Sequence, residues 1–422
     1  MQKSTQGRDD NLLPVILRLE DVCAAQNYAG YDPFDALRSR WLRLIPVPGK
    51  YPRIALIQLL KRLPVNVRPL LLVPRGHNPK GMGLFLSSYV DLFRVTGRVE
   101  WLAKARKIAG WLLQNSSEGY SGKCWGYNFD WQSRAFFVPA GTPTIVNTSF
   151  IAQAFLDLYS VTEESEFLQA AESAAHFILT DLHRSQTPDG FCFSYTPIDR
   201  TMVHNASMLG AGFLARLYGF TREMSYLEAA RTATYYTVVH QREDGAWYYA
   251  ETSYQSWIDS FHTGFVLRSL REVCSVVDSP VLEAALDKGL NYFLKNFIQP
   301  DGCVKYYHDN LRPVDIHSFA ETLRLCSVFY SDARCRQLAP KVISWLMQNM
   351  YDSRHGYFYY RKLRYFTNRI HYIRWSSAWM LYGLTGLVQA ESRWAHEAAE
   401  DSSQPDAFVA SPDCENEHRG EP

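Results

Sequence analysis

A five-fold recurrence constrains this chain more than any other feature of its sequence. A glycine-bearing turn followed by an aromatic stretch appears as EGYSGKCWGYNFDW from 118, PDGFCFSY from 188, EDGAWYYAE from 243, PDGCVKYY from 300 and RHGYFYYRK from 354. The turn glycines fall at 119, 190, 245, 302 and 356, so the last three steps are 55, 57 and 54 residues. Glycine accepts positive φ and Asp bonds the backbone that follows it, so an Asp-Gly pair marks a tight turn. Self-similarity at a near-fixed step signals a repeat architecture, in which no unit buries its own apolar face.

Each turn has the same neighbours. Ahead of it lies an amphipathic segment such as REMSYLEAARTATYYTVVHQ (222–241), where Met224, Leu227, Ala230, Thr234 and Val238 recur at helical steps. Small and apolar residues almost all round mark a different segment, such as ASMLGAGFLARLYGF (206–220), as a helix buried on every side. Inner helices are expected near 81–96, 147–160, 204–219, 259–274, 315–330 and 374–389. Outer ones are expected near 98–115, 164–183, 222–241, 280–297 and 332–349. Residues 1–80 must then supply a sixth outer helix, and 81–390 form the body. Six inner and six outer helices in alternation predict an all-α (α/α)6 toroid, with short aromatic loops or hairpins on one face. An open solenoid has the same local pattern; the count of six favours closure. Residues 391–422 read as a disordered acidic tail.

Composition narrows the function. The chain is 47% hydrophobic and 14% aromatic, which allows a large core and supplies flat rings for stacking on sugar faces. The net charge of +1 is uneven: from residue 391 onward nine acids and two arginines give −7, leaving about +8 on residues 1–390 by subtraction. No basic run interleaves with aromatics as a nucleic-acid site requires. Eight cysteines without a C-x-x-C pair argue against a disulfide framework or zinc ribbon. No signal-like h-region and no long apolar run is present, so the expectation is a cytoplasmic protein without a transmembrane segment, with room for peripheral membrane contact. Neither a P-loop nor a dinucleotide fingerprint appears, and His77 reads as a lone loop histidine. No cofactor and no metal site are expected.

Polar residues collect at the predicted inner-helix starts: Asn147, His204 and Asn205, Asp259 and His262, Asp315 and His317, and Arg374. Capping explains the Asp and Asn residues singly, but not the histidines beside them in three repeats. Closure of the ring converges these groups on one mouth. Asp259, Asp315, His262 and His317 are therefore the candidate catalytic residues. Asp259 is the first choice for a carboxylate acid, with Trp257 as the apolar wall that raises its pKa. Trp257, Tyr248, Tyr306, Arg374, His204, Asn205, Asp130, Trp131 and Glu251 are the candidate substrate-binding residues. Glycoside hydrolysis needs two carboxylates. Uronate epimerisation or elimination needs a base and a cation over the substrate carboxylate. The sequence does not rank these chemistries.

The strings WGYNFDWQSR, PAGTPTIVNTSFIAQAFLD, VHNASMLGA, WIDSFHTGFVLRSL and KYYHDNLRPVDIHSFAE carry a resemblance. Over roughly residues 28–390 the chain resembles the six-hairpin glycosidase superfamily. More narrowly, it resembles proteins of bacterial exopolysaccharide and lipopolysaccharide biosynthesis clusters. The resemblance implies a carbohydrate-active toroid of surface-polysaccharide biosynthesis, with an oligosaccharide, polysaccharide or lipid-linked glycan as partner. It would act as hydrolase, epimerase or lyase, or serve as a non-catalytic glycan binder or assembly scaffold.

Overall fold

The computed structural model describes residues 9–44, 47–134 and 136–403. Helices α1 (Asp9–Ala24), α2 (Trp41–Leu44) and α3 (Lys50–Arg62) come first. Then follow the pairs α4 (Pro79–Thr96) and α5 (Val99–Gln114), α6 (Ile145–Thr162) and α7 (Ser165–Asp181), and α8 (His204–Thr221) and α9 (Met224–Val239). The series continues with α10 (Ser260–Cys274) and α11 (Pro280–Phe297), α12 (Ile316–Val328) and α13 (Ala333–Asn349), and ends with α14 (Trp379–Ser403). Helices α4, α6, α8, α10, α12 and α14 each pack on the next, and α14 returns to α4. The inner ring is closed, and α1 lies against α14 on its outside. The architecture is the all-α (α/α)6 toroid.

Local chemistry explains the two helix classes. Outer α11 buries Leu282, Ala285, Leu286, Gly289, Leu290, Phe293 and Phe297, the single stripe of an amphipathic helix. Inner α6 buries every residue from Ile145 to Leu158 except Gln153, because it has neighbours on all sides. All five repeat glycines have positive φ, from 77° at Gly356 to 134° at Gly190. At Gly190, Gly245 and Gly302 a Cβ would lie 2.3, 2.5 and 2.2 Å from carbonyl oxygens of Thr232, Lys288 and Lys341. The turn thus needs glycine twice, for its backbone conformation and for its close seat on an outer helix.

Short antiparallel ladders decorate the end of the ring where the inner helices begin. Strands β1 (Trp131–Gln132) and β2 (Phe137–Val138) pair, as do β3 (Arg184–Thr187) and β4 (Gly190–Phe193). Strand β5 (Val314–Asp315) pairs with β8 (Arg361–Lys362), which pairs with β9 (Thr367–Asn368). The β5–β8 register sets Asp315 opposite Arg361. Strands β6 (Tyr351–Asp352) and β7 (Tyr357–Phe358) form a separate hairpin.

The opposite end of the ring axis is filled by ion pairs. Arg216 binds Asp157 at 2.6 Å, Arg324 binds Asp91 at 2.7 Å, and Arg268 holds both oxygens of Glu321 at 2.7 and 3.1 Å. Tyr382 receives a hydrogen bond from Arg268 at 3.2 Å and lies under the Arg324 guanidinium at 4.1 Å.

One boundary is corrected. Helix α14 follows a π-helical stretch, Ile373–Ala378, and runs to Ser403, past residue 391 where a disordered tail was expected. WAHEAAE is rich in helix formers, and Trp394 gives it an anchor, its ring 4.1 Å from Arg336 and 6.3 Å from Tyr330. The rest of that expected tail, 404–422, lies outside the described residues. The seven described cysteines are all free thiols.

Candidate functional site

The N-terminal ends of the inner helices surround a cavity of about 730 Å3, within the range that holds a ligand of oligosaccharide size. Its floor comes from the helices themselves: Lys80 of α4, Asn205 of α8, His262 and Phe265 of α10, His317 of α12, and Arg374 and Trp375 of the π-helical stretch. The aromatic loops make the walls through Tyr127, Trp131, Tyr195, Tyr249, Trp257, Tyr306 and Tyr307. Ile54, Gln58, Lys61 and Arg62 of α3 complete one side.

His262 is a positioned imidazole. Asp259 caps α10, its Oδ1 accepting the His262 backbone N–H at 3.0 Å while its Oδ2 accepts from His262 Nδ1 at 2.7 Å. The Trp257 indole N–H donates to the same Oδ2 at 2.9 Å. Nδ1 therefore carries the proton towards the carboxylate, leaving Nε2 as the basic nitrogen on the cavity side. A second carboxylate–imidazole contact, Glu251 Oε1 to His204 Nε2 at 2.6 Å, lies behind the cavity wall and does not line it.

His317 is different in kind. It is buried, and neither ring nitrogen has a partner among the described residues. The ring sits 4.3 Å from Phe261, 4.2 Å from Trp379 and 4.6 Å from Trp375. Burial, reinforced by nearby Lys80 and Arg374, pushes its pKa well below the usual imidazole range, so the ring is neutral. Asn205 likewise lines the cavity with its Oδ1 unpartnered. Buried polar atoms are rarely left unpaired without a reason, and two at one floor point to a ligand that completes them.

The charge on the lining has one sign. Lys61, Arg62, Lys80, Arg134, Arg312, Arg361, Arg364 and Arg374 line the cavity, with no Asp or Glu among the described lining residues. Arg361 is paired with Asp315 at 2.7 Å, and Arg374 grips Asp32 with two bonds of 2.6 and 2.8 Å. The other six make no ion pair with a described carboxylate. Lys80 sits 5.5 Å from the Phe150 and Trp379 rings and 5.8 Å from Tyr127. Its burial, and then Arg374, lower its pKa well below the normal lysine value. Burial, and then Arg361, bring Lys61 down to about 7.

The sequence candidates divide on this geometry. His262, His317, Asn205, Arg374, Trp131, Trp257 and Tyr306 meet at the cavity. Asp259 and Asp315 do not serve as a carboxylate pair there, which corrects that expectation. Both are buried helix caps with their oxygens occupied, Asp315 by the His317 N–H at 3.0 Å, the Trp375 indole at 2.9 Å and Arg361. Trp257 is a hydrogen-bond donor to Asp259 and not the apolar wall that was expected. Asp130 holds the Ala140 N–H at 2.7 Å, and Tyr248 lies beside Arg242; neither lines the large cavity, nor do His204 and Glu251. Sequence reasoning missed Lys80 and the α3 cations. NPKG at the start of α4 was the available signal, since it occupies the helix-start position that holds the other candidates.

No family model and no curated protein matches the sequence. Solved structures do resemble it. A sugar epimerase from a ruminal bacterium superposes with a TM-score of 0.59 at 13% identity, covering 75% of this chain and 88% of that one. A GH76 α-mannanase of Bacteroides thetaiotaomicron gives 0.60 at 15% identity, covering 75% and 87%. A family 88 glycosyl hydrolase from Bacteroides vulgatus gives 0.58 at 11%, covering 92% and 99%. At these identities the likeness is one of fold.

Proposed function

We propose that this chain is a carbohydrate-active enzyme that moves a proton at a carbon of an acidic sugar unit, as an epimerase or lyase. One observation carries the reading: the cavity presents an oriented imidazole, His262, among cations and without a lining carboxylate. Glycoside hydrolysis by the usual route needs a pair of carboxyl groups at the bond, and no described lining residue supplies one. Proton abstraction beside a carboxylate needs a base, and positive charge where the enolate forms. His262 Nε2 is that base, and Asp259 stabilises the imidazolium once the proton arrives. Lys80 and Arg374 face the growing negative charge. His317, held neutral, donates a hydrogen bond to the same oxygen, a task a neutral imidazole performs well. A proton delivered to the opposite face by water or a lining tyrosine gives the epimer, whereas transfer of the proton from His262 to the oxygen departing from the neighbouring carbon gives the unsaturated product.

The sugar epimerase among the structural neighbours accords with this chemistry, and the resemblance to polysaccharide-cluster proteins supports a place in bacterial surface-polysaccharide assembly. The test is proton NMR in deuterium oxide with oligoglucuronate and oligogalacturonate. Deuterium should enter a sugar C–H position, or an alkene signal appear, and His262→Asn should abolish either change. Release of reducing ends without exchange would make the protein a hydrolase. Tight binding with neither would make it a binding module.

A further inference from the structure

The stretch that walls one side of the cavity has a second, outward surface. Between Asp35 and Asp91 the sequence holds no acidic residue and ten Lys or Arg, in a chain whose totals are 43 acidic and 44 basic. Eighteen large apolar side chains are exposed among the described residues, and seven of them fall between 41 and 72: Trp41, Leu44, Tyr51, Leu59, Val65, Leu70 and Leu72. Leu44 is 74% exposed and Leu70 78%. Part of this surface is continuous. The Trp41 indole N–H donates to the Leu70 carbonyl at 3.4 Å, Ser39 Oγ donates to the Leu71 carbonyl at 2.6 Å, and the Arg40 N–H reaches the Leu72 carbonyl at 3.3 Å. Arg40, Lys50, Arg62 and Arg75 are exposed around it.

We infer that residues 40–44 and 47–75 form a docking surface for an anionic lipid bilayer, which sets the mouth of the cavity at the membrane. Clustered exposed apolar groups mark an interaction site. Their mixture with cations and no acids matches what binds anionic headgroups, the apolar groups entering the acyl boundary and the cations staying with the phosphates. Trp41 suits that boundary, since its ring is apolar and its N–H is already bonded. A second copy of the chain fits less well, because a two-fold contact would set this uniformly positive surface against itself. No described helix is long and apolar enough to cross a membrane, so the contact is peripheral. Because Ile54, Gln58, Lys61 and Arg62 of the same stretch line the cavity, docking places its opening at headgroup level, where a lipid-linked sugar is presented.

The experiment is co-sedimentation of the full chain with phosphatidylcholine vesicles, with and without about 30 mol % phosphatidylglycerol. The protein should sediment with the anionic vesicles and stay in solution with the neutral ones. Leu70→Glu should weaken vesicle binding about tenfold or more, while Val281→Glu, on an exposed residue outside the stretch, should not change it. If Leu70→Glu does not fold, as judged by circular dichroism, Leu44→Glu replaces it. No partition into anionic vesicles, or equal partition into both kinds, overturns the inference. So does light scattering that shows a dimer which Leu70→Glu dissociates. Vesicle binding is measured without substrate, so its failure leaves the proton-transfer reading standing, and the converse holds.

Discussion

The two ends of the ring axis use the same side chains to opposite purposes. Towards the C-terminal ends of the inner helices, Arg216, Arg268 and Arg324 each meet a buried carboxylate, and the ring is plugged. Towards the N-terminal ends, six cations have no carboxylate partner among the described residues and the ring is open. Helix N-termini carry partial positive charge, which makes them a costly place to collect more of it. Paired charge fixes a shape. Unpaired charge of one sign, kept at a cost, is what a site retains for a partner that arrives from outside.

The contrast predicts separable phenotypes. Arg268→Ala strands the Glu321 carboxylate in the interior and should cost about 3–5 kcal/mol of stability, read as a lower urea midpoint. Asp259→Asn keeps a capping residue, so its stability should fall by less than about 1 kcal/mol. Its proton-exchange rate should nevertheless fall about 100-fold or more, because the imidazolium loses its counter-charge. A large stability loss there would make Asp259 purely structural. Arg312→Gln and Arg364→Gln should leave the melting temperature unchanged and each weaken an acidic oligosaccharide by about 0.5–1 kcal/mol. Calorimetry against a neutral oligosaccharide of equal length should show no such loss. The smallest effect is one of pH. Lys61 is a cation below about 7 and loses that charge as pH rises through this value. Affinity for an anionic ligand should therefore decline above about pH 7, and Lys61→Met should remove that part of the pH dependence.

The helices were legible because their signals are local. Period, burial and turn glycines located α10 and α12 to within a residue or two at each end. The site was legible only in part, and the reason differs by residue. A capping Asp and a catalytic Asp have the same sequence context; what separates them at position 315 is Arg361, brought across the β5–β8 ladder from 46 positions away. Tyr248 and Tyr249 are adjacent, and in extended chain adjacent side chains take opposite faces. The sequence carries no register that separates them, and it is Tyr249 that faces the cavity. The α3 wall was hidden because prolines interrupt residues 44–79 and leave no period to read. The end of α14 is hidden in the sequence because the acidic composition of 391–403 masks its helix propensity.

Ring closure also sets an order of assembly. The clamp of Arg374 on Asp32 joins residues 342 positions apart, and α14 leaves the ribosome after the other five inner helices of the ring. At synthesis rates of about 5–20 residues per second, the two halves of that clamp emerge about 20–70 s apart. Through that interval α4 waits with one flank bare, its apolar surface open to solvent or to a chaperone. The cavity has no closed wall until α14 arrives, so a nascent or truncated chain that stops before residue 374 holds most of the lining residues without the ring that brings them together.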